Sequence, residues 1–354
     1  MAVSTAMIFG LVSLMFLDTS INMAMQPFKM MVGDMVNEKQ KGLAYSIQSF
    51  LCNAGSLVGF LFPFIFTWIG ISNIAPQGVV PDSVIYSFYI GAAILILCVI
   101  YTTVKVKEMP PAEYAEYHGI TEEEKKEKIN MVKLLVKAPK AFWTVGLVQF
   151  FCWFAFMFMW TYTNGSVAAN VFDAPTIETV VNGANKVVLD TKSIQYQNAA
   201  DWVGVLFAVQ AIGSVLWAVC IPMFKNRKLI YSLSLVLGGI GFISTYFVHN
   251  QYVLFISFLL IGCAWAAMLA LPFTILTNAL SGGHMGTYLG LFNGTICIPQ
   301  IVAATLGGSI LALFTPKGML PPEINMLVMA GVMLIIGAVC VYLIKETKGE
   351  QAKA

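Results

Sequence analysis

The sequence predicts an all-α polytopic membrane protein, and three observations carry that prediction. The 354 residues are 58% hydrophobic and only 11% charged, too few charges to clothe a water-soluble globule of this size. Their mean hydropathy is +0.78. The apolar residues fall into nine long blocks, approximately 3–31, 42–70, 84–104, 143–164, 201–224, 229–248, 252–277, 286–313 and 324–344, each close to or beyond the ~20 residues a spanning helix needs. A formal charge of +2 with a single arginine, Arg227, excludes nucleic-acid binding as the main business, because no phosphate-binding field can be built from it.

Taken in order, the first block opens MAVSTAMIFGLVSLMFL without a basic n-region and runs on into a full-length span, so it reads as a helix and not as a cleavable signal peptide. The first, second and eighth blocks exceed the bilayer's need, which implies tilt or helix beyond the membrane. After the third block comes a hydrophilic segment, 105–140, in which Thr121-x-x-Glu124 is a capping-box pattern opening EEEKKEK. Glu122 and Lys126, and Glu124 and Lys128, stand at i, i+4 there, so a short solvated helix is expected, its charge run a solvated linker face before it is a partner site. Between the fourth and fifth blocks, residues 165–200 carry Asn-Gly turns and an alternating KVVLD, the marks of a small strand-containing cap. The chain thus divides into a partial N-terminal half of three spans (1–104), a linker (105–140), a six-helix C-terminal half (141–345) with the loop 165–200, and a tail (346–354). Three spans beside six suggest a six-plus-six design whose first three spans are missing from this chain.

Lysine placement gives the orientation. If 105–140 is cytoplasmic, alternation puts seventeen of the 20 basic residues inside and leaves Lys186, Lys192 and Lys317 outside, a positive-inside pattern that makes the C-terminus cytoplasmic and the N-terminus external. The seven cysteines sit singly in apolar blocks with no C-x-x-C spacing, so core packing is expected and a disulfide framework or zinc site is not.

The polar residues inside the spans carry the chemistry. Of 18 acidic residues, Asp18 alone is enclosed by apolar sequence on the membrane side of a span. A carboxylate near mid-membrane costs about 2.5–3.5 kcal/mol on insertion scales, and it persists where it faces a polar cavity or takes up a proton. Burial disfavours the charged form of a carboxyl, the property a proton-coupling site needs; the alternative is a structural carboxylate bonded to a neighbouring helix. Asn22 and Gln26 follow at i+4 and i+8, so acid, amide and amide share one helix face with Lys29 below them, an arrangement suited to sugar hydroxyls. Pro27 loosens this helix near its inner third. Gln48 and Asn53 on the second block and Asn293 and Gln300 on the eighth either line the same cavity or glue helices together. Among the aromatic residues of FFCWFAFMFMWTY (150–162), most are lipid-facing or packing groups, while Trp153 is a candidate platform for a pyranose face. No H-E-x-x-H, G-x-S-x-G or P-loop spacing appears, so neither an enzyme nor a metal or cofactor is expected. Two sequons, Asn164-Gly165-Ser166 and Asn293-Gly294-Thr295, are taken as accidental.

One stretch has a family likeness. Leu17-Asp18-Thr19-Ser20-Ile21-Asn22, then Gln26-Pro27-Phe28-Lys29, then Gly33-Asp34, resembles the fourth helix of the plant-type sucrose/proton symporters and their glycoside-pentoside-hexuronide relatives in the major facilitator superfamily. VGF at 58–60, QFFCWFAF at 149–156, GCAWAAMLALPF at 262–273 and GLFNGTICIPQIV at 290–302 agree with the fifth, seventh, tenth and eleventh helices. The resemblance implies a major facilitator fold with about nine of twelve transmembrane helices present (helices 4–12) and alternating access about a central sugar site. It makes Asp18 the coupling acid and matches Asn22, Pro27 and Asp34 to the family's fourth-helix motif; beside it, the reading of the polar and aromatic residues makes Asn22, Gln26, Gln48, Asn53, Trp153 and Asn293 the expected substrate contacts. Pro27, Lys29, Asp34, Pro299 and Gln300 become gating or structural residues. Lys29 stands where relatives usually carry Arg, which keeps a cation but loses the bidentate fork. Tyr162-Thr163-Asn164-Gly165 replaces an acidic Asp-Thr-Asp-Trp run of the plant carriers, so sucrose itself need not be the substrate. Phe224-Lys225-Asn226-Arg227-Lys228 keeps only the basic part of the superfamily's loop signature.

The expected function is a proton-coupled symporter of a disaccharide or glycoside in the cell (inner or plasma) membrane, acting as a monomer, with sodium as an alternative coupling ion. Its partners are the sugar, the proton and the lipid bilayer. The competing expectation is a non-transporting membrane subunit or receptor left by loss of the first three helices.

Overall fold

The computed structural model describes residues 5–36, 40–71, 82–107, 110, 113, 131–181, 184–280, 285–316 and 318–344. Its helices are α1 (Thr5–Met35), α2 (Lys41–Trp68), α3 (Asp82–Lys105), α4 (Met131–Val136), α5 (Lys140–Asn170), α6 (Ile194–Cys220), α7 (Arg227–Ser244), α8 (Leu254–Ala279), α9 (Met285–Phe292), α10 (Gly294–Phe314) and α11 (Ile324–Cys340). Eight spans among them are long and apolar enough to cross a membrane, α9 and α10 together forming one. The second expected span is α2, 28 residues long.

Local sequence starts and stops these helices. The Ser193 hydroxyl accepts from the Tyr196 amide 3.3 Å away at the start of α6, and Asn226 Oδ1 accepts from the Leu229 amide at 3.0 Å to open α7. Pro139 stands immediately before α5, where its missing N–H costs nothing. The expected external strands are present as β1 (Thr176–Val181) and β2 (Ala184–Leu189), an antiparallel pair with Glu178 opposite Val187. The predicted capping box at 121–124, the tail 346–354 and most of the linker lie outside the described residues.

The C-terminal half is organised around α8, which packs on α6, α7, α5 and α2, while α11 packs on α5 and α7. Between membrane helices there is little hydrophobic gain, so close backbone approach supplies the attraction, and glycine permits it. A Cβ added to Gly262 of α8 would stand 2.7 Å from the Ser214 nitrogen and 3.0 Å from the Gly213 carbonyl carbon of α6. A Cβ on Gly331 of α11 would lie 2.7 Å from the Gly239 carbonyl oxygen of α7. Half of the rings in the aromatic run of α5 are interior: Phe154, Phe156, Phe158 and Tyr162 are buried, so packing rather than lipid contact is their role, while Trp160 is exposed. The seven cysteines are free thiols.

The first three helices are held differently. α2 lies along α6 and α8, α3 touches α2, and α1 meets only α2 and α9 among the well-contacted elements. The apolar window of α1 has no buried residue and that of α3 almost none. Expected to be enclosed at mid-membrane, Asp18 is instead exposed on α1.

Replacing Gly262 by valine is expected to lower the thermal midpoint of the detergent-solubilised protein through overpacking worth about 1–3 kcal/mol. Gly308→Val, at a position whose added Cβ would meet nothing within 4 Å, leaves the midpoint unchanged. Equal midpoints for the two variants would remove the close-approach explanation.

Candidate functional site

A donor or acceptor enclosed in a membrane protein without a partner carries a desolvation penalty of about 1–3 kcal/mol, so each such group calls for an explanation. Three such atoms among the described residues are Gln48 Nε2 and Asn53 Oδ1 on α2 and Trp153 Nε1 on α5. Ser49 Oγ donates to the Ala266 carbonyl of α8 at 3.5 Å, joining the α2 polar face to α8. One turn on, Asn53 is fully buried; its Nδ2 donates to the Ser49 carbonyl at 2.7 Å, and its Oδ1 is left as a spare acceptor. Beside Ala266, Trp265 packs edge-to-face on Trp153 (5.8 Å between centroids, 76°) and on Trp160 (5.8 Å, 80°). Trp153 is therefore one wall of a three-tryptophan cluster, and its half-buried ring keeps its N–H enclosed and unpaired.

The α1 residues assemble a second group against α9 and α10. Asp18 lies within electrostatic reach of Cys297, and Asn293 Nδ2 approaches the Cys297 sulfur at 3.7 Å. Asn293 itself joins α9 to α10 with its backbone still helical (φ −59°, ψ −24°), its amide donating to the Leu289 carbonyl at 3.2 Å. Asn22 spends a donor on its own helix, giving Nδ2 to the Asp18 carbonyl oxygen at 2.9 Å. The side chains of Gln26 and Asp34 lie outside the described ones. Pro27 is exposed inside a continuous α1, Pro299 is buried within α10, and Gln300 is half-buried.

Lys29 belongs to a third group at the end of the bundle where α1 and α2 reach α8 and α9. Its Nζ sits 4.1 Å from the centroid of Phe273, a cation–π geometry. Tyr45 of α2 stacks on Phe273 (6.3 Å, 28°) and donates its hydroxyl to the Lys29 carbonyl oxygen at 3.3 Å. Phe292 of α9 closes the ring edge-to-face on Phe273 at 6.0 Å.

Four functional candidates escaped sequence reasoning. Trp265 and Phe273 lie in GCAWAAMLALPF, where only the motif as a whole was noticed. Gln149 donates Nε2 to the Met268 carbonyl at 2.9 Å; the proline at 272 predicts that this carbonyl lacks its helical partner, and a nearby donor could have been sought from that signal. Glu323 looked like a span-end acid. Its carboxyl instead lies against Gly165 of α5, in a notch that any Cβ would fill, and faces Tyr162. Burial pushes this carboxyl up from its usual value of 4.5 to about 7.

The family model for the Major Facilitator Superfamily matches residues 1–184 and 176–354. The fold is similar to that of the E. coli fucose:proton symporter, with a TM-score of 0.58 and 14% identity over 90% of this chain and 72% of that one. No curated protein matches.

The raised carboxyl makes stability depend on pH. The neutral, enclosed Glu323 contributes fully below about pH 4.5, and its contribution is lost as pH rises through about 7. The thermal midpoint is expected to fall over that interval and to be flat there in Glu323→Gln. A decline that survives the substitution would assign the titration to another group.

Proposed function

The chain belongs to the Major Facilitator Superfamily, and from that membership we propose that it is a proton-coupled symporter of a sugar, in the disaccharide or glycoside class, working by alternating access. The observation that carries this reading is the position of Asp18. It is the one acid set amid the apolar sequence of a span, and it lies within electrostatic reach of the α10 segment that holds Asn293 and Cys297. A carboxylate there changes its interaction with the opposing half when it takes a proton, which is the differential a coupled carrier requires.

Substrate recognition falls to the groups with spare hydrogen-bonding capacity. Gln48 offers a donor, Asn53 an acceptor and Trp153 an N–H beside an apolar ring, the mixture a sugar's hydroxyls and ring face demand. Asn22, Gln26 and Asn293 complete the contacts from α1 and the α9–α10 junction. Lys29 works as a gate residue, with Pro27, Asp34, Pro299 and Gln300 setting the helices that move. Likeness of the α1 motif to plant-type sucrose and glycoside carriers supports the substrate class, and the sugar named for the E. coli relative of similar fold supports sugar transport in general. The lysine distribution supports a cytoplasmic C-terminus, and the proposal takes the protein to act as a monomer in the cell membrane.

In the transport cycle, sugar and a proton on Asp18 together release the return to the inner side, while a charged, empty carrier is held back. One proton crossing about 100 mV is worth roughly 2.3 kcal/mol, enough for about 50-fold accumulation. Asp18→Asn is expected to abolish uphill accumulation of labelled disaccharide while retaining exchange of sugar across the membrane. Accumulation left intact in the variant, or driven equally by a sodium gradient without protons, would refute the assignment.

A further inference from the structure

Pro272 stands within α8, and a proline there has no N–H to offer the carbonyl four residues back. That carbonyl belongs to Met268, whose side chain is buried in the core. Gln149, 1% exposed on α5, reaches across and donates Nε2 to it at 2.9 Å. The side chain of one helix thus replaces the hydrogen bond that another helix's proline removes, the remedy available where water is absent. The next residue, Phe273, carries the ring on which the Lys29 ammonium, the Tyr45 ring and the Phe292 ring all converge. Lys29 and Tyr45 come from α1 and α2, and Phe273 from α8, so this ring is a direct contact between the two parts of the bundle.

We propose that Lys29 and Phe273 form a latch closing one end of the carrier, and that Gln149 is its positioning residue, holding the proline break of α8 so that Phe273 seats under Lys29. The proposal deepens the gating role given to Lys29 above and rests on that reading, but it requires neither Asp18 nor any particular sugar. Gln149 touches neither substrate nor proton; it acts through the Met268 carbonyl. An interhelical hydrogen bond in a membrane protein shifts a two-state population by about threefold on average, so the latch is a bias and not a lock.

Closure can be read from a cross-link. A Cβ at Gly42 of α2 would lie 3.8 Å from Thr274 Cγ2 of α8, so a Gly42→Cys, Thr274→Cys pair falls within disulfide reach when that end is closed. The experiment uses the full chain in native membranes with the exposed thiols Cys52 and Cys98 changed to serine, and records the rate of oxidative cross-linking. Phe273→Leu, Lys29→Gln and Gln149→Leu are each expected to slow it by about threefold or more, and Lys29→Arg, which keeps the cation, to leave it unchanged. Pro272→Ala returns an N–H to the Met268 carbonyl, so in that background Gln149→Leu loses most of its effect on both the rate and the thermal midpoint. Gln149→Leu that lowers the midpoint without changing the cross-linking rate would make it a structural residue only and overturn the proposal. So would an equal effect with and without Pro272, or a parent pair that fails to cross-link. Because no sugar or gradient is involved, failure here leaves the transport reading standing, and failure of the Asp18 test leaves this result interpretable.

Discussion

A polar atom enclosed within a bilayer has no water to fall back on, and this single constraint accounts for most of what the chain does with its few polar residues. The usual solution is local. Thr161, Thr163, Ser166 and Thr277 each return a hydroxyl hydrogen to a carbonyl four residues back in the same helix, silencing the side chain at no cost to its neighbours. Where a helix carries a proline the solution becomes tertiary, as Gln149 shows at Met268. What remains among the described residues after both kinds of satisfaction is a short set of enclosed atoms, among them those of Gln48 and Asn53 on α2 and Trp153 on α5.

The same constraint shapes the scaffold. Because lipid competes with side chains for apolar contact, the C-terminal helices gain cohesion by approaching backbone to backbone at Gly262 and Gly331, and α8 can touch four neighbours because glycine and alanine line it. Rigid packing there contrasts with the sparse contacts of α1 and α3. A carrier needs one firm body against which another moves, and the residues at the junction, Lys29, Tyr45 and Phe273, meet through ring faces and a single charge. Such contacts are broken at little cost, whereas the glycine contacts of the interior are not.

Much of this was legible in the sequence for physical reasons. Length and apolarity alone mark a spanning helix, so the blocks were found with boundaries off by a few residues, and the alternation in KVVLD announced β2. The resemblance of the α1 motif pointed to the superfamily that the family model then matched. Direction was harder to read than existence. The rings of 150–162 carry no periodic signal separating lipid from core, and half of them are buried. Asp18 was singled out by composition, yet its surroundings depend on which helices lie beside α1. Glu323 was missed because a notch at Gly165, 158 residues earlier in the chain, is invisible to local reading.

If the unpaired atoms of Gln48, Asn53 and Trp153 exist for a solute, removing one should cost binding and not folding. Asn53→Leu tests this directly: among the described residues its Nδ2 bonds only within α2, and its Oδ1 is the spare acceptor. Measured side by side on the purified protein, sugar binding should fall by about tenfold or more, the loss of one good hydrogen bond to a buried group, while the thermal midpoint holds or rises. Binding that survives while the midpoint drops would show that Asn53 serves the fold and that the solute lies elsewhere.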